Sequence, residues 1–368
     1  MGAISLSNSN AAQQWDSGLK PAAGPHAFDL DRLQRYLAST LEGWTGAVDE
    51  CAQFSGGQSN PTFLLSAGGR KYVLRRRPAG KLLPRAHAID REFRVTSALA
   101  ATDVPVARPL LYCDDVNIIG SAFYICDYVA GRVFWDPSLP GMAPQERAAI
   151  YDEENRVMAA LHSIDPAAVG LADYGRTGNY FERQIGLWSK QYRAARTVPV
   201  EAMEQLMDWL PRHMPTDEET RIVHGDFRID NLVYHPTEPR VLAVLDWELS
   251  TLGNPLADFS YHCVAWHLKP SESRGMAGTD LAALGIPDES SYVASYTRRT
   301  GRAPMNSATW NFCIAFNLFK IAAILQGIMK RALEGSASNA SADNVERDGK
   351  RLSAIAERGW RVANGETR

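Results

Sequence analysis

The segment His224-Gly225-Asp226-Phe227-Arg228-Ile229-Asp230-Asn231 is followed closely by Val244-Leu245-Asp246-Trp247-Glu248. The first part has the form H-x-D-x-x-x-x-N, and the second places an aspartate at the end of an apolar, strand-like run. This order and spacing suit phosphoryl transfer, which needs one carboxylate near the acceptor hydroxyl and separate hard oxygen ligands near a metal ion. Asp226 is the candidate for accepting or orienting the hydroxyl proton. Asn231 and Asp246 are the candidate ligands of Mg²⁺, which prefers oxygen donors and keeps several waters. The competing reading is structural: Asx turns capping a loop between two strands.

Composition narrows the function classes. The 368 residues correspond to two or three structural units at about 150 residues each. Thirty-nine basic and 42 acidic residues give a net charge of −3, without the basic excess of a nucleic-acid binder. Five scattered cysteines, none spaced CxxC, argue for a reducing compartment and against a zinc ribbon or disulfide framework. No uninterrupted apolar stretch reaches about 18 residues, so no membrane span is expected. The first residues lack a basic region followed by an apolar core, and Leu6 breaks the myristoylation pattern. These features lead to the expectation of a cytoplasmic protein.

Along the chain, residues 1–27 are polar and punctuated by Gly and Pro, and read as a mobile tail. Leucines 30, 33, 37 and 41 predict a helix over 28–41. Short β-favouring runs follow at Phe63–Leu65, Tyr72–Leu74 and Ala122–Val129, with Gly68-Gly69 as a turn and a helix over Pro84–Ala101. A linker is expected near Tyr128–Val133. Beyond it, helices are predicted over Ala143–Ile164, Tyr180–Ala195 and Ser307–Leu333, interrupted by two apolar runs within Ile222–Trp247. Residues 335–344 read as a polar loop. The expected fold class is α+β, with a small β-rich lobe over 28–130 and a larger, mainly helical lobe over 131–368.

The motif HGDFRIDN, the following VLDWELSTLGNPLADF and the later WNFCIAFNLFKIAAILQG resemble the aminoglycoside phosphotransferase and choline kinase group. They are most similar to the kinase-like domain fused to certain acyl-CoA dehydrogenases and its free-standing bacterial relatives. The resemblance covers roughly residues 28–360. It implies a two-lobed protein-kinase-like fold, ATP and Mg²⁺ as cofactors, and transfer of the γ-phosphate to the hydroxyl of a small-molecule acceptor. The narrower likeness implies a hydroxylated acyl-CoA as that acceptor. ATP versus GTP and the oligomeric state stay open.

The resemblance also assigns roles in the small lobe. Gly56, Gly57, Ser59 and Asn60 stand where a phosphate-covering loop belongs, with the glycines allowing close approach and Ser59 or Asn60 donating to phosphate oxygens. An ordinary hairpin turn would read the same. Strand alternation puts Lys71, Val73 and Arg75 on one face. Arg75 is the expected phosphate-holding cation, Lys71 the substitute, and Arg76 and Arg77 are expected to solvate the strand end. Arginine replaces the usual lysine of protein kinases here and offers a wider fork. Glu92 is its expected helix partner, the alternative being a solvated helix face. The carbonyl of Asp127 and the amide of Val129 are expected to meet the adenine edge.

In the large lobe, His224 and Asp258 are expected to brace the catalytic loop. Arg228 reaches either the transferring phosphate or a neighbouring acid, and Glu248 either adds a carboxylate near the metal or is structural. His262 and His267 have the wrong spacing for a metal pair on one helix face. A protein kinase is disfavoured by Trp-Glu after Asp246, where Phe-Gly would be expected. A polycationic aminoglycoside calls for an acidic receiving surface, which this near-neutral lobe lacks on average. A pseudokinase would have lost the base or a metal ligand, and neither is missing. Arg183, Lys190, Arg193 and Lys320 are candidates for meeting CoA phosphates. Trp188 and Tyr192 either line an apolar channel or form a core face. Asn311, Asn317 and Lys320 are polar exceptions in an apolar helix.

Overall fold

The computed structural model describes residues 13–14, 18–22, 27–54, 60–78, 88–216, 219–334 and 342–366. In chain order the elements begin with β1 (Gln13–Gln14), β2 (Leu19–Pro21), α1 (Leu30–Thr40), β3 (Val48–Phe54), β4 (Thr62–Ala67) and β5 (Arg70–Arg76). Next come α2 (Ile89–Leu99), β6 (Pro109–Cys113), α3 (Val116–Ile119), β7 (Phe123–Asp127) and β8 (Arg132–Val133). The chain continues with α4 (Pro144–Ser163), α5 (Tyr180–Ala195), α6 (Glu201–Trp209), β9 (Arg221–Val223), β10 (Leu232–Tyr234), β11 (Val241–Val244) and β12 (Thr251–Gly253). It closes with α7 (Pro255–Cys263), α8 (Leu281–Leu284), α9 (Glu289–Thr300), α10 (Ser307–Leu333) and α11 (Ala342–Ala363).

Two compact units divide these elements. The first comprises 1–134, 167–172 and 229–250; the second comprises 135–166, 173–228 and 251–368. A single cut near residue 130 therefore does not describe the chain. The reason is the β10–β11 hairpin, which joins the first unit through strand pairing with β8. The linker expected near Tyr128–Val133 is in part a strand: β8 pairs with both β1 and β10. Gly131 permits that approach, because an added Cβ would lie 2.6 Å from a Val233 methyl and collide with the Tyr234 carbonyl. Within the stretch expected to be a tail, Leu19–Pro21 pairs with β3.

In the first unit an antiparallel sheet runs β2-β3-β4-β5-β7-β6. The β4–β5 hairpin turns at Gly68 and Gly69, whose φ angles of 56° and 75° suit a tight primed turn. Strand alternation sorts the side chains into two layers. Phe63, Leu65, Tyr72, Leu74, Phe123 and Ile125 pack with Leu33 and Leu37 of α1. On the other face, Leu64, Val73, Tyr124 and Cys126 pack with Ile89 at the start of α2. Arg75 follows Val73 in the alternation and so faces the α2 side.

The second unit is helical around α10. Asn306 caps its first turn by accepting from the Thr309 amide. Among the described helices α10 alone is long and apolar enough to cross a membrane, yet most of it is buried inside the protein. Helices α5, α6, α7 and α11 pack against it. The two-stranded β9–β12 ladder pairs Val223 with Thr251, and α7 begins just after it.

Candidate active site

The first unit gathers one cation and three carboxylates. Arg75 Nε lies 2.8 Å from Glu92 Oε2 and its Nη2 lies 2.8 Å from Asp246 Oδ1, with Glu248 at 3.7 Å. Glu92 is 2% exposed. It also accepts from Asn60 Nδ2 at 2.8 Å and from the Tyr124 hydroxyl at 3.2 Å. Burial works against the Arg75 charge, but Glu92 and the other acids outweigh it and hold the guanidinium above its ordinary pKa. Burial, reinforced by Asp246 and Glu248, raises the Glu92 carboxyl against the pull of Arg75.

Asp246 leaves β11 with φ 62°, a left-handed conformation that costs a non-glycine residue about 1 kcal/mol or more. The turn that follows is pinned by buried Trp247, whose indole nitrogen donates to the Val244 carbonyl at 2.9 Å. Asn231 ends the turn before β10, and its carbonyl accepts from the Leu245 amide at 2.8 Å, next door to Asp246. The backbone thus brings the two candidate metal ligands to adjoining positions. With Arg75 balancing only one of its three acids, the set is anionic and its donors are hard oxygens. Among the described residues no group of three or more His, Cys, Asp or Glu could hold a metal by itself. Asp246 and Asn231 are the hard-oxygen residue types that a hydrated Mg²⁺ accepts, and they could supply only part of its shell.

The second unit holds Asp226 in a braced loop. Asp258, on α7, accepts the backbone amides of His224 at 2.6 Å and Gly225 at 2.8 Å. His162 Nε2 lies 3.2 Å from the same carboxylate, and its Nδ1 faces the Tyr296 hydroxyl at 2.7 Å. A neutral imidazole protonated on Nε2 satisfies both contacts. Burial works to raise the Asp258 carboxyl, but the His162 hydrogen bond and the His224 amide hold it below the usual range. His224 Nδ1 accepts from the Asp226 amide at 3.2 Å. The bracing role expected for His224 and Asp258 is thus realised in geometry.

Three further side chains surround Asp226. Tyr261, one turn after Asp258 on α7, donates its hydroxyl to Asp226 Oδ1 at 2.7 Å. Arg228 Nε lies 3.3 Å from the same oxygen, so of its two expected roles the geometry realises the pairing with a neighbouring acid. Lys320 of α10 places its ammonium 4.7 Å from the centre of the Tyr261 ring and donates to the Gly225 carbonyl at 3.4 Å.

Other expectations meet mixed outcomes. Gly56, Gly57 and Ser59 lie outside the described residues. Asn60 is 1% exposed and spends its amide on Glu92, so it braces the ion pair and is not placed as a phosphate donor. Arg76 does not solvate the strand end: it is buried, bonded to Ser121 at 3.0 Å and set against the Phe28 ring. Alternation turns it inward at the position after Arg75. Arg77 is the exposed one, 3.5 Å from Asp90. Lys71 lies over Tyr128, 5.3 Å from its ring centre, on the sheet surface.

Asp127 ends β7, with its side chain paired to Arg108 at 2.8 Å and Arg70 at 3.6 Å; Val129 lies two residues beyond. His262 and His267 go to separate partners, Tyr292 and Glu289. Asn317 is consumed by the Ala257 and Cys313 carbonyls and Ser260. Tyr192 is fully buried, as a core residue would be, while Lys190 and Arg193 are exposed. Tyr261 was not singled out by its sequence. Its position one helical turn beyond Asp258 was the available signal.

A family model described as the phosphotransferase enzyme family matches residues 50–292. Mouse acyl-CoA dehydrogenase family member 10 is 46% identical over 94% of this chain and 32% of its own length. Rat acyl-CoA dehydrogenase family member 11 is 45% identical over 85% of this chain and 41% of its own. The chain thus spans less than half the length of these relatives. A solved Ralstonia eutropha JMP134 structure, provisionally assigned as an aminoglycoside phosphotransferase, superposes with a TM-score of 0.84 at 53% identity. The match covers 93% of this chain and 100% of that one. The α+β architecture is accordingly the kinase-like fold of such enzymes, and the chain belongs to the phosphotransferase enzyme family.

Proposed function

We propose that this chain transfers the γ-phosphate of ATP to the hydroxyl of a small acceptor. The observation that carries the reading is Arg75 bonded at once to Glu92 and Asp246, each at 2.8 Å. That arrangement supports reading Arg75 as a cation for phosphate oxygens beside Asp246 as a carboxylate for a metal ion. In this reading Arg75 binds phosphate oxygens and Glu92 fixes its orientation. Asn231 and Asp246 hold Mg²⁺, which supplies charge neutralisation for the phosphates when bound. Asp226 accepts the acceptor's hydroxyl proton, with its carboxylate oriented by Tyr261 and its loop by Asp258. Positioning and electrostatics supply most of the rate enhancement.

The acceptor we assign is a hydroxylated acyl-CoA, supported by two mammalian relatives named as acyl-CoA dehydrogenase family members, which this chain matches over 32% and 41% of their length. An aminoglycoside is the second reading, favoured by the assignment of the Ralstonia structure. The test is transfer of label from γ-labelled ATP, with magnesium, into a 4-hydroxyacyl-CoA, an aminoglycoside, choline and homoserine. Label in the acyl-CoA alone supports the assignment; label in the aminoglycoside alone replaces it. Asp226→Asn should bind ATP like the parent while losing turnover by roughly 100- to 10,000-fold. Near-parental turnover in that variant would sink Asp226 as the base.

A further inference from the structure

From Ser307 to Met329 the helix α10 carries one charged residue, Lys320, and the side chains before it from Phe312 to Phe319 are all buried. An ammonium has three protons to donate. Among the described residues the one hydrogen bond Lys320 makes is the 3.4 Å contact to the Gly225 carbonyl, and no carboxylate comes within ion-pair distance of it. Its remaining contact is the face of Tyr261. Burial pulls the ammonium below the ordinary lysine pKa, against the opposing pull of Asp258 and Asp226. Lys320 itself is half-buried, and a methionine or leucine would suit this helix better if bracing Gly225 were the whole role, because partial desolvation of a charge without a strong partner is costly.

The position is informative. Gly225 is the chain neighbour of Asp226, and Tyr261 joins the two groups, with its hydroxyl on Asp226 and its ring face against Lys320. Tyr261 is thus the neighbour that base and ammonium share.

We propose that Lys320 is an acceptor-recognition residue, donating to an anionic or carbonyl oxygen of the molecule whose hydroxyl Asp226 engages. The acceptor is therefore a hydroxy acid or hydroxyacyl compound, and cationic amino alcohols and amino sugars are turned away by like charge. This inference rests on the phosphotransfer reading and adds to it the residue that reads the acceptor's oxygen.

The test uses three probes with one carbon chain: 4-hydroxybutyrate, 4-hydroxybutyramide and 4-amino-1-butanol. They place a carboxylate, a carbonyl or a cation at the same distance from the hydroxyl. Binding is followed by NMR titration and transfer by γ-labelled ATP, in the parent chain, Lys320→Met and Lys320→Arg. The parent should bind the carboxylate and carbonyl probes at least about 10-fold better than the amine, and their order tells which oxygen is read. Lys320→Met should weaken those two by about 10-fold or more while changing the amine and ATP by less than about 3-fold; Lys320→Arg should keep the order. Equal losses for all three probes would reduce Lys320 to a brace, and a loss of ATP affinity would make it a nucleotide contact. Either result overturns the proposal, as does a parent that binds the probes alike or binds none. Charge-ordered binding with no label transferred would uphold Lys320 and overturn the phosphotransfer reading.

Discussion

Arg75 Nε and Glu92 Oε2 stand 2.8 Å apart, tying strand β5 to helix α2 through a carboxylate that is 2% exposed. The pair does two things at once: it closes the α2 side of the sheet and it aims the rest of the guanidinium at Asp246. Removing the acid leaves a buried cation with less compensation and strips Asn60 and Tyr124 of their acceptor. Glu92→Ala should therefore lower the unfolding free energy by about 3 kcal/mol, measured by urea denaturation, and weaken ATP binding. Glu92→Gln, which keeps the volume and one acceptor oxygen, should lose less stability. Equal and small losses in both variants would show that the pair is dispensable.

The hydroxyl of Tyr261 and the carboxylate of Asp226 offer a finer test of the base. A hydrogen bond to a charged group is worth about 1.5 kcal/mol or more, so Tyr261→Phe should slow turnover by about 10-fold. The KM for ATP should not change. A parental kcat in Tyr261→Phe would mean that the loop alone orients Asp226.

Asp246 is expected to couple nucleotide affinity to magnesium. Asp246→Asn keeps a residue type tolerated at positive φ but removes the charge. Its nucleotide affinity should fall in magnesium and match the parent in EDTA. An undiminished magnesium effect on affinity would remove Asp246 from the metal set.

The pH dependence of stability should carry the signature of a buried neutral histidine. Burial lowers the His262 pKa from 6.5 to about 4, the distant Asp258 charge opposing it. Glu154 at 3.5 Å and the Tyr292 hydroxyl at 2.9 Å are its near neighbours. A depressed imidazole pKa means that the unfolded chain takes up a proton, below pH 6.5, that the folded chain refuses. Stability should thus fall as pH drops from 6.5 to about 4, by up to about 3 kcal/mol from this group. His162, also lowered by burial, acts in the same direction. His262→Gln should flatten the decline in urea titrations across that window; an unchanged slope would assign it elsewhere.

Much of this was legible in the sequence because it is local. The spacing of Asp226, Asn231 and Asp246 along the chain, the alternation that set Lys71 and Arg75 on one face before the family resemblance favoured Arg75, and the helical period behind Glu92 all depend on neighbours within a few residues. The ends of α5 and α10 came out at the residues expected. What escaped depends on distant segments meeting. Nothing near Asn60 announces that its amide will serve a glutamate in α2, and nothing near Arg76 announces Ser121. Tyr261 looks like one more aromatic until the loop carrying Asp226 is folded against α7. The membership of 229–250 in the first unit escaped for the same reason, since a hairpin's place is set by the strand it pairs with.

That hairpin has a bearing on biosynthesis. The first unit draws on 229–250, so a ribosome that has made only the first 134 residues has not yet supplied all of its strands. β8 must await β10, and the segment Val106 meets Val244 only once the hairpin has emerged. Those 134 residues contain all six strands of the first sheet but neither Asp246, the partner of Arg75, nor the β10–β11 hairpin that completes the second sheet. The two units are thus interleaved along the chain, and cutting it into separate units for expression requires a break at more than one peptide bond.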